Sequence, residues 1–263
     1  MVDLRTLSRP SRPSSDHFPV LALHSLGLDG DAWAAIASLG PTQEICVYDQ
    51  RAHGVSADTA PSSFQDFVTD AKRALDQIDS AQVHVVGHSL GGAVVACLAQ
   101  DAPGRVASLS LIATPFAGLD AFRQRATAVA DGTLCKVTED TLNRWFGENA
   151  SGSDVDFVRS KIAAMTPAGF DACWTALAEF AGYDALPGPF PPTLVCSFEN
   201  DQSTPPSVGD KIAHSLLGKC PSVQHDVVAG AGHMGVLTHA SDVFAILARH
   251  WQRAETTIRE VAP

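Results

Sequence analysis

The chain has 263 residues, 45% of them hydrophobic, and a formal net charge of −11. That length suits one α/β domain with room for an insertion, the apolar content argues against disorder, and the acidic excess argues against nucleic acid or an anionic membrane surface as partner. No apolar run reaches bilayer length and the start, Met1-Val2-Asp3-Leu4-Arg5, has no signal-peptide core, so a cytoplasmic location is expected.

Val2 to Leu7 reads as a short strand, followed by a Ser/Pro/Arg-rich turn region up to residue 18. Phe18 to His24 is a continuous apolar strand of the fully buried kind, ending in the glycine-bearing loop His24 to Gly30, with a short helix opening at Asp31-Ala32-Trp33. Glu44 to Tyr48 is a second buried strand. Phe64 to Ile78 is an amphipathic helix with Phe64, Phe67, Val68, Ala71, Leu75 and Ile78 on one face. The apolar run Gln82 to Val86 then leads into Gly87-His88-Ser89-Leu90-Gly91 and the small-residue helix Gly92-Ala93-Val94-Val95-Ala96. Strand, G-x-S-x-G and helix in that order form the pattern of a nucleophile elbow, a sharp turn that pushes the serine Oγ clear of the backbone. Its glycines have a steric reason, because side chains two residues either side of the serine would crowd the turn.

Val106 to Ala113 is another buried strand. Alternating strands and helices predict the α/β class, a mostly parallel central sheet flanked by helices on both faces. From Phe116 to Leu186 the alternation stops: Gly118–Ala130, Thr138–Phe146, Val155–Met165 and Ala168–Phe180 all read as helices. The expected organisation is therefore a core of 1–115 and 187–263 carrying a helical cap, or lid, at 116–186. The proline-rich stretch 187–192 returns the chain to the sheet. Thr193–Phe198 is the next strand, Pro206–Leu217 a helix and Val223–Val228 the last strand. Ala240–Gln252 is the closing amphipathic helix, with frayed residues after it. There is no internal repeat, and the six cysteines are scattered with no C-x-x-C, which suits buried free thiols.

In open α/β sheets, sites form at the carboxyl ends of the strands. Asp201 follows the Thr193–Phe198 strand and His233 follows the Val223–Val228 strand, so both are expected beside Ser89 in the order Ser…Asp…His. A serine hydroxyl is a poor nucleophile until a base takes its proton; His233 is the candidate base and Asp201 the group that orients it. Taken singly, Asp201 also reads as a turn or N-cap residue before Pro206, and His233 as a solvated loop histidine. Glu199 is the fallback acid and Asp184 a weaker one. The oxyanion hole needs two backbone N–H groups, that of Leu90 and one from the loop after the Phe18–His24 strand, Leu26 or its neighbour Ser25. His24 and His53 read as loop-bracing residues, and His88 as pointing away from the cleft. No H-E-x-x-H, Cys/His cluster or G-x-G-x-x-G is present, so neither metal nor cofactor is expected.

Four segments together resemble the α/β-hydrolase superfamily: Gly87-His88-Ser89-Leu90-Gly91-Gly92, Tyr48-Asp49-Gln50-Arg51-Ala52-His53-Gly54, Asn200 to Pro206, and Gly232-His233. Within it, the chain is most similar to 3-oxoadipate enol-lactone hydrolases over Pro19 to Trp251. His24-Ser25-Leu26-Gly27-Leu28-Asp29 with Trp33 resembles their oxyanion loop; Arg144-Trp145-Phe146 and Thr166 to Cys173 resemble their cap. Departures are His24 for asparagine, His88 for an apolar residue, Ala52 for glycine, and Met234 after the histidine. The resemblance implies cofactor-free hydrolysis of an enol-lactone in aromatic degradation, and a substrate bearing a free carboxylate. Arg144 and Arg123 are the candidate cap cations, although each reads more readily as part of a solvated cap face. Trp145 and Trp174 either wall the pocket or pack the cap, and Ser25 is its expected edge. A carbon–carbon bond hydrolase of ring-cleavage products, a general carboxylesterase and an inactive ligand-binding scaffold are the alternatives. Epoxide hydrolases and dehalogenases use a carboxylate nucleophile where this chain has serine. A homo-oligomer stays open.

Overall fold

Successive side chains of a strand point to opposite faces, so a strand that is apolar throughout must be covered on both. The computed structural model, which describes residues 2–8, 17–40, 43–127, 134–147 and 152–261, has this arrangement. Strands β1 (Arg5–Ser8), β2 (Val20–Leu23), β3 (Ile45–Val47), β4 (Val83–His88), β5 (Val106–Ile112), β6 (Thr193–Phe198) and β7 (Val223–Val228) form one sheet in the order β1-β3-β2-β4-β5-β6-β7. β1 runs antiparallel to β3, and the other neighbours are parallel. Leu21, Leu23, Val85, Leu109, Leu111 and Val195 pack into one core cluster; Val20, Ala22, Val86, Ile112, Leu194 and Phe198 pack into the other.

The helices are α1 (Ala34–Leu39), α2 (Phe64–Gln77), α3 (Leu90–Asp101), α4 (Asp120–Thr127), α5 (Leu134–Phe146), α6 (Ser153–Ala163), α7 (Pro167–Leu177), α8 (Pro206–Leu216), α9 (Gly235–Thr238) and α10 (Ala240–Val261). α2, α3 and α8 contribute to the first cluster, α1 and α10 to the second. α2 starts on a capping box: the Ser63 side chain accepts from the backbone at Asp66, and the Asp66 side chain accepts from that at Ser63. α4 to α7 occupy the stretch between β5 and β6 where the strand–helix alternation lapses.

Several expected boundaries move. β1 is Arg5–Ser8 rather than Val2–Leu7, and its pairing with β3 sets the limits. α10 continues to Val261 rather than ending at Gln252, because Ala254 and Glu255 are buried beyond Trp251. Glu255 is a polar residue held inside by donors: Phe18 N–H at 2.9 Å, His84 Nε2 at 3.2 Å and His17 Nδ1 at 3.0 Å. The expected turn region at 9–16, residues 128–130 of the expected Gly118–Ala130 helix, and residues 262–263 lie outside the described residues. Among the described residues, no helix is long and apolar enough to cross a membrane.

Candidate active site

Ser89 sits between β4 and α3 with φ 54° and ψ −113°, a left-handed conformation that a non-glycine residue adopts only when its surroundings enforce it. The enforcement is visible: Ser89 N–H donates to Ile112 O at 2.8 Å, and Ser89 O accepts from Thr114 Oγ1 at 3.0 Å. A Cβ at Gly87 would lie 2.1 Å from Gly91 O, and one at Gly91 would lie 2.5 Å from Leu23 O. The elbow therefore closes only with glycine at both positions.

The turn after β6 brings Asp201 into place, and a backbone bond from Asn200 N–H to Ala231 O at 2.8 Å ties it to the loop after β7. Asp201 and His233 are 3% and 2% exposed. His233 Nδ1 lies 2.7 Å from Asp201 Oδ2, and His233 Nε2 lies 3.1 Å from Ser89 Oγ. A carboxylate can only accept, so the imidazole proton is on Nδ1 and the Nε2 lone pair faces the serine hydroxyl. Asp201 Oδ1 also accepts the N–H groups of Ser203 at 2.7 Å and Thr204 at 3.0 Å, and Thr204 Oγ1 lies 2.6 Å from Oδ2. Burial pushes the Asp201 carboxyl up; the charge of His233 and the hydrogen bonds from His233 and Thr204 outweigh it and hold the group far below the usual carboxylate range. Thr204 has no place in the sequence-derived site, although its position three residues after the acid in a turn is a signal for such a bond. The fallback acids are engaged elsewhere, Glu199 with Gly230 N–H and Asp184 with Ser215 Oγ.

Ser89 and His233 open into a tight cavity of about 20 Å³ whose lining includes Leu26, Phe122, Arg125, Trp145, Trp174, Leu177, Ser203 and Thr204. Trp145 lies against the His233 ring, 5.5 Å between centroids, and Trp174 packs on Phe122 at 5.4 Å. Two expected pocket residues fall outside the lining. The Ser25 side chain is fully buried with its hydroxyl turned to Leu26 O, and Arg144 is drawn aside to Ser203 Oγ at 3.2 Å and Thr141 Oγ1 at 3.3 Å. Arg123 is exposed. The cation that reaches the cavity is Arg125, whose guanidinium carbon lies 5.1 Å from the Trp174 ring centroid and 5.6 Å from that of Phe122. Burial lowers its pKa, and that of Arg144 falls to about 10 through burial and then the charge of Arg125. A larger open groove of about 540 Å³ lies between the starts of β6 and β7 and α10, but no nucleophile–base pair lines it.

The loop carrying Leu26 is braced from the segment after β3. Gln50 N–H donates to His24 Nε2 and Gly27 N–H to His53 Nε2, both at 2.9 Å; His24 Nδ1 donates to Ser25 O and His53 Nδ1 to Arg51 O, both at 2.8 Å. Each ring is neutral in this arrangement because one nitrogen is an acceptor. Burial holds His24 down to about 4 and His53 down to about 3. Gly27, Leu28 and Gly30 spend their N–H groups on this bracing, and that of Leu26 is outside it. Leu90 opens α3, where the first amides have no acceptor within the helix.

A second Ser–His–Asp chain shows why order of groups is not enough. His225 bonds Ser197 Oγ at 2.8 Å and Asp210 at 2.9 Å, but Ser197 is 2% exposed and Gly209 of α8 covers it, where a Cβ would be 2.2 Å from Ser197 Oγ. No electrophile has room there, so these groups pin α8 to the sheet. Among the described residues, no group of His, Cys, Asp or Glu is arranged to hold a metal, and Cys97, Cys173, Cys196 and Cys220 are free thiols.

Comparison with known proteins agrees with this geometry at the level of fold. The chain is 27% identical over 188 residues to 3-oxoadipate enol-lactonase 1 of Acinetobacter baylyi, covering 69% of this chain and 70% of that protein. It is 28% identical over 137 residues to the (E)-2-((N-methylformamido)methylene)succinate hydrolase of the same organism, covering 50% and 51%. Another curated relative, the dihydrolipoyllysine-residue acetyltransferase component of the acetoin cleaving system of Pseudomonas putida, matches over 98 residues, and the chain spans only 26% of its length. The enol-lactonase structure from Burkholderia xenovorans superposes with a TM-score of 0.80 at 18% identity, covering 95% of each chain. The family model described as the alpha/beta hydrolase fold matches residues 19–240, and the chain belongs to that family.

Proposed function

We propose that this chain is a serine hydrolase that opens a small enol-lactone, or a related carboxylic ester, through an acyl-enzyme on Ser89. The observation that carries the reading is the unbroken run of hydrogen bonds from Ser89 Oγ through His233 to a buried, ionised Asp201 at the floor of a cavity. In the first step Ser89 Oγ attacks the lactone carbonyl while His233 Nε2 takes its proton, and the N–H groups of Leu26 and Leu90 hold the oxyanion. Each such donor is worth about 2.7–4 kcal/mol in the transition state. Collapse breaks the ring C–O bond and expels an enolate, which takes the proton and tautomerises to the ketone. A water molecule then gives a proton to His233 and attacks the acyl carbon, and Ser89 leaves with its proton restored.

The choice of an acid-bearing lactone is supported by the cavity wall. Arg125 is half-buried, only desolvation shifts its pKa, and no acidic side chain pairs with it among the described residues. A cation in that setting gains most from a ligand carboxylate. Trp145 and Trp174 offer flat apolar walls to a small ring, and residues 116–186, which carry them, act as the cap. Two relatives carry names in the same chemical range, an enol-lactonase and an (N-methylformamido)methylene-succinate hydrolase.

The test is a turnover comparison. 3-Oxoadipate enol-lactone should be hydrolysed with kcat/KM well above that for 4-nitrophenyl acetate. Faster cleavage of a vinylogous 1,5-diketone would replace the ester reading with carbon–carbon bond hydrolysis, and a preference for simple aryl esters would make the protein a general carboxylesterase.

A further inference from the structure

His88 precedes the nucleophile, and its side chain is expected to point away from the cleft. It does not line the cavity, yet it is bound to the base. The ring is 0% exposed, lies 5.2 Å from the His233 ring between centroids, and meets Phe198 edge-on at 6.4 Å. Its Nε2 is 2.9 Å from the backbone carbonyl oxygen of His233. A carbonyl can only accept, so the proton is on Nε2, and Nδ1 is a buried lone pair with no partner among the described residues. Burial, reinforced by the charge of His233, holds His88 down to about 3, so the ring is neutral wherever His233 can act as a base.

This is a costly way to fill space. A buried nitrogen without a partner is a penalty that an apolar side chain of similar size would not carry. What the imidazole adds is a tie across the site, from the last residue of β4 to the backbone of the base itself. Asp201 grips the His233 ring on one side; His88 grips its peptide on the other.

We propose that His88 is a positioning residue: its Nε2–H bond to the His233 carbonyl holds the base at a fixed distance from Ser89, so that the elbow and the base loop move as one unit. The inference rests on the reading of Ser89, His233 and Asp201 as a catalytic set. It adds a residue that never touches substrate.

The experiment compares wild type, His88→Leu and His88→Gln for steady-state kinetics, the pH profile of kcat/KM, and the rate at which a fluorophosphonate probe labels Ser89. Leucine keeps much of the volume without the donor, whereas the glutamine amide reaches about as far as imidazole Nε2 and restores it. A base displaced by a fraction of an ångström to about 1 Å should cost about 10- to 100-fold in kcat and labelling rate. The expected result is that loss in His88→Leu with KM unchanged and the acid limb of the pH profile moved, and recovery of most of it in His88→Gln. Unchanged labelling and pH profile in folded His88→Leu would overturn the proposal, as would equal loss in both variants. If His88→Leu does not fold, imidazole 15N shifts of the wild type decide: an Nε2–H tautomer for His88 from pH 5 to 8 supports the tie, and an Nδ1–H tautomer removes it. Wild-type protein that is folded and not labelled at all would overturn the hydrolase reading itself, a result separable from any effect at His88.

Discussion

Four donors converge on the Asp201 carboxylate: the N–H groups of Ser203 and Thr204, the Thr204 hydroxyl and His233 Nδ1. The Thr204 hydroxyl has one proton and lies 2.9 Å from Ala113 O as well, so the carboxylate charge decides where that proton points. Asp201→Asn should leave the fold intact but offer His233 Nδ1 an N–H instead of a lone pair. The imidazole is then held in the wrong tautomer, and kcat should fall about ten-thousand-fold in a steady-state assay. Arg125 makes a separate prediction. Arg125→Gln should raise KM for a carboxylate-bearing lactone about 10- to 100-fold, the worth of a charged hydrogen bond, and leave neutral aryl esters almost unaffected. Equal losses on both substrates would assign Arg125 to packing. Ser89 and Asp201 are legible because each follows a strand that the apolar pattern marks clearly, whereas His233 follows the mixed Val223–Val228 strand and is read from the Ser…Asp…His order. Arg125 is not legible, because all three arginines fall in helical patterns and only the packing of α4 and α5 decides which one turns inward.

Among the elements, α6 is fastened to the loop that carries Leu26. Lys161 Nζ lies 2.5 Å from Asp29 Oδ2 and 3.1 Å from Asp31 Oδ2, and Arg5 of β1 bonds Asp31 from the other side at 2.6 Å. The Asp29 side chain is 7% exposed, so removing the lysine strands a nearly buried carboxylate. Lys161→Met should therefore destabilise by about 1–3 kcal/mol, read as a fall in Tm of roughly 2–12 °C for a chain of this size. An unchanged melting temperature would mean the pair is no stronger than a surface ion pair. The mostly parallel sheet with flanking helices follows from the alternation of strand and helix patterns, and β6 and β7 match their expected limits. The end of α10 does not follow, because the residue that extends it inward is Glu255, a charged side chain whose burial depends on His84, Phe18 and His17 far away in sequence.

At the scale of the whole molecule, buried neutral histidines set the response to acid. His24, His53, His88 and His250 are each buried, with pKa values lowered to about 4, 3, 3 and 4, largely by desolvation. The unfolded chain titrates them near 6.5, so below that pH it binds protons that the native state refuses, and stability falls. At pH 5 the loss is about 2 kcal/mol per histidine, and four together approach the roughly 5–15 kcal/mol that holds a typical domain. Asp201 and Asp49, whose pKa values are depressed, stabilise the fold above the usual carboxylate range and lose that contribution only below it. The histidines therefore act first. Denaturant titrations at pH 7, 6 and 5 should show a steep fall between 6.5 and 5; a flat profile would mean that these rings are protonated in the native state.

The most direct test of the central claim is covalent. Wild-type protein treated with a fluorophosphonate probe, digested and mapped by mass spectrometry should carry one adduct on Ser89, and Ser89→Ala should carry none. A folded wild type without an adduct, or one labelled at Ser197 instead, would contradict Ser89 as the activated nucleophile.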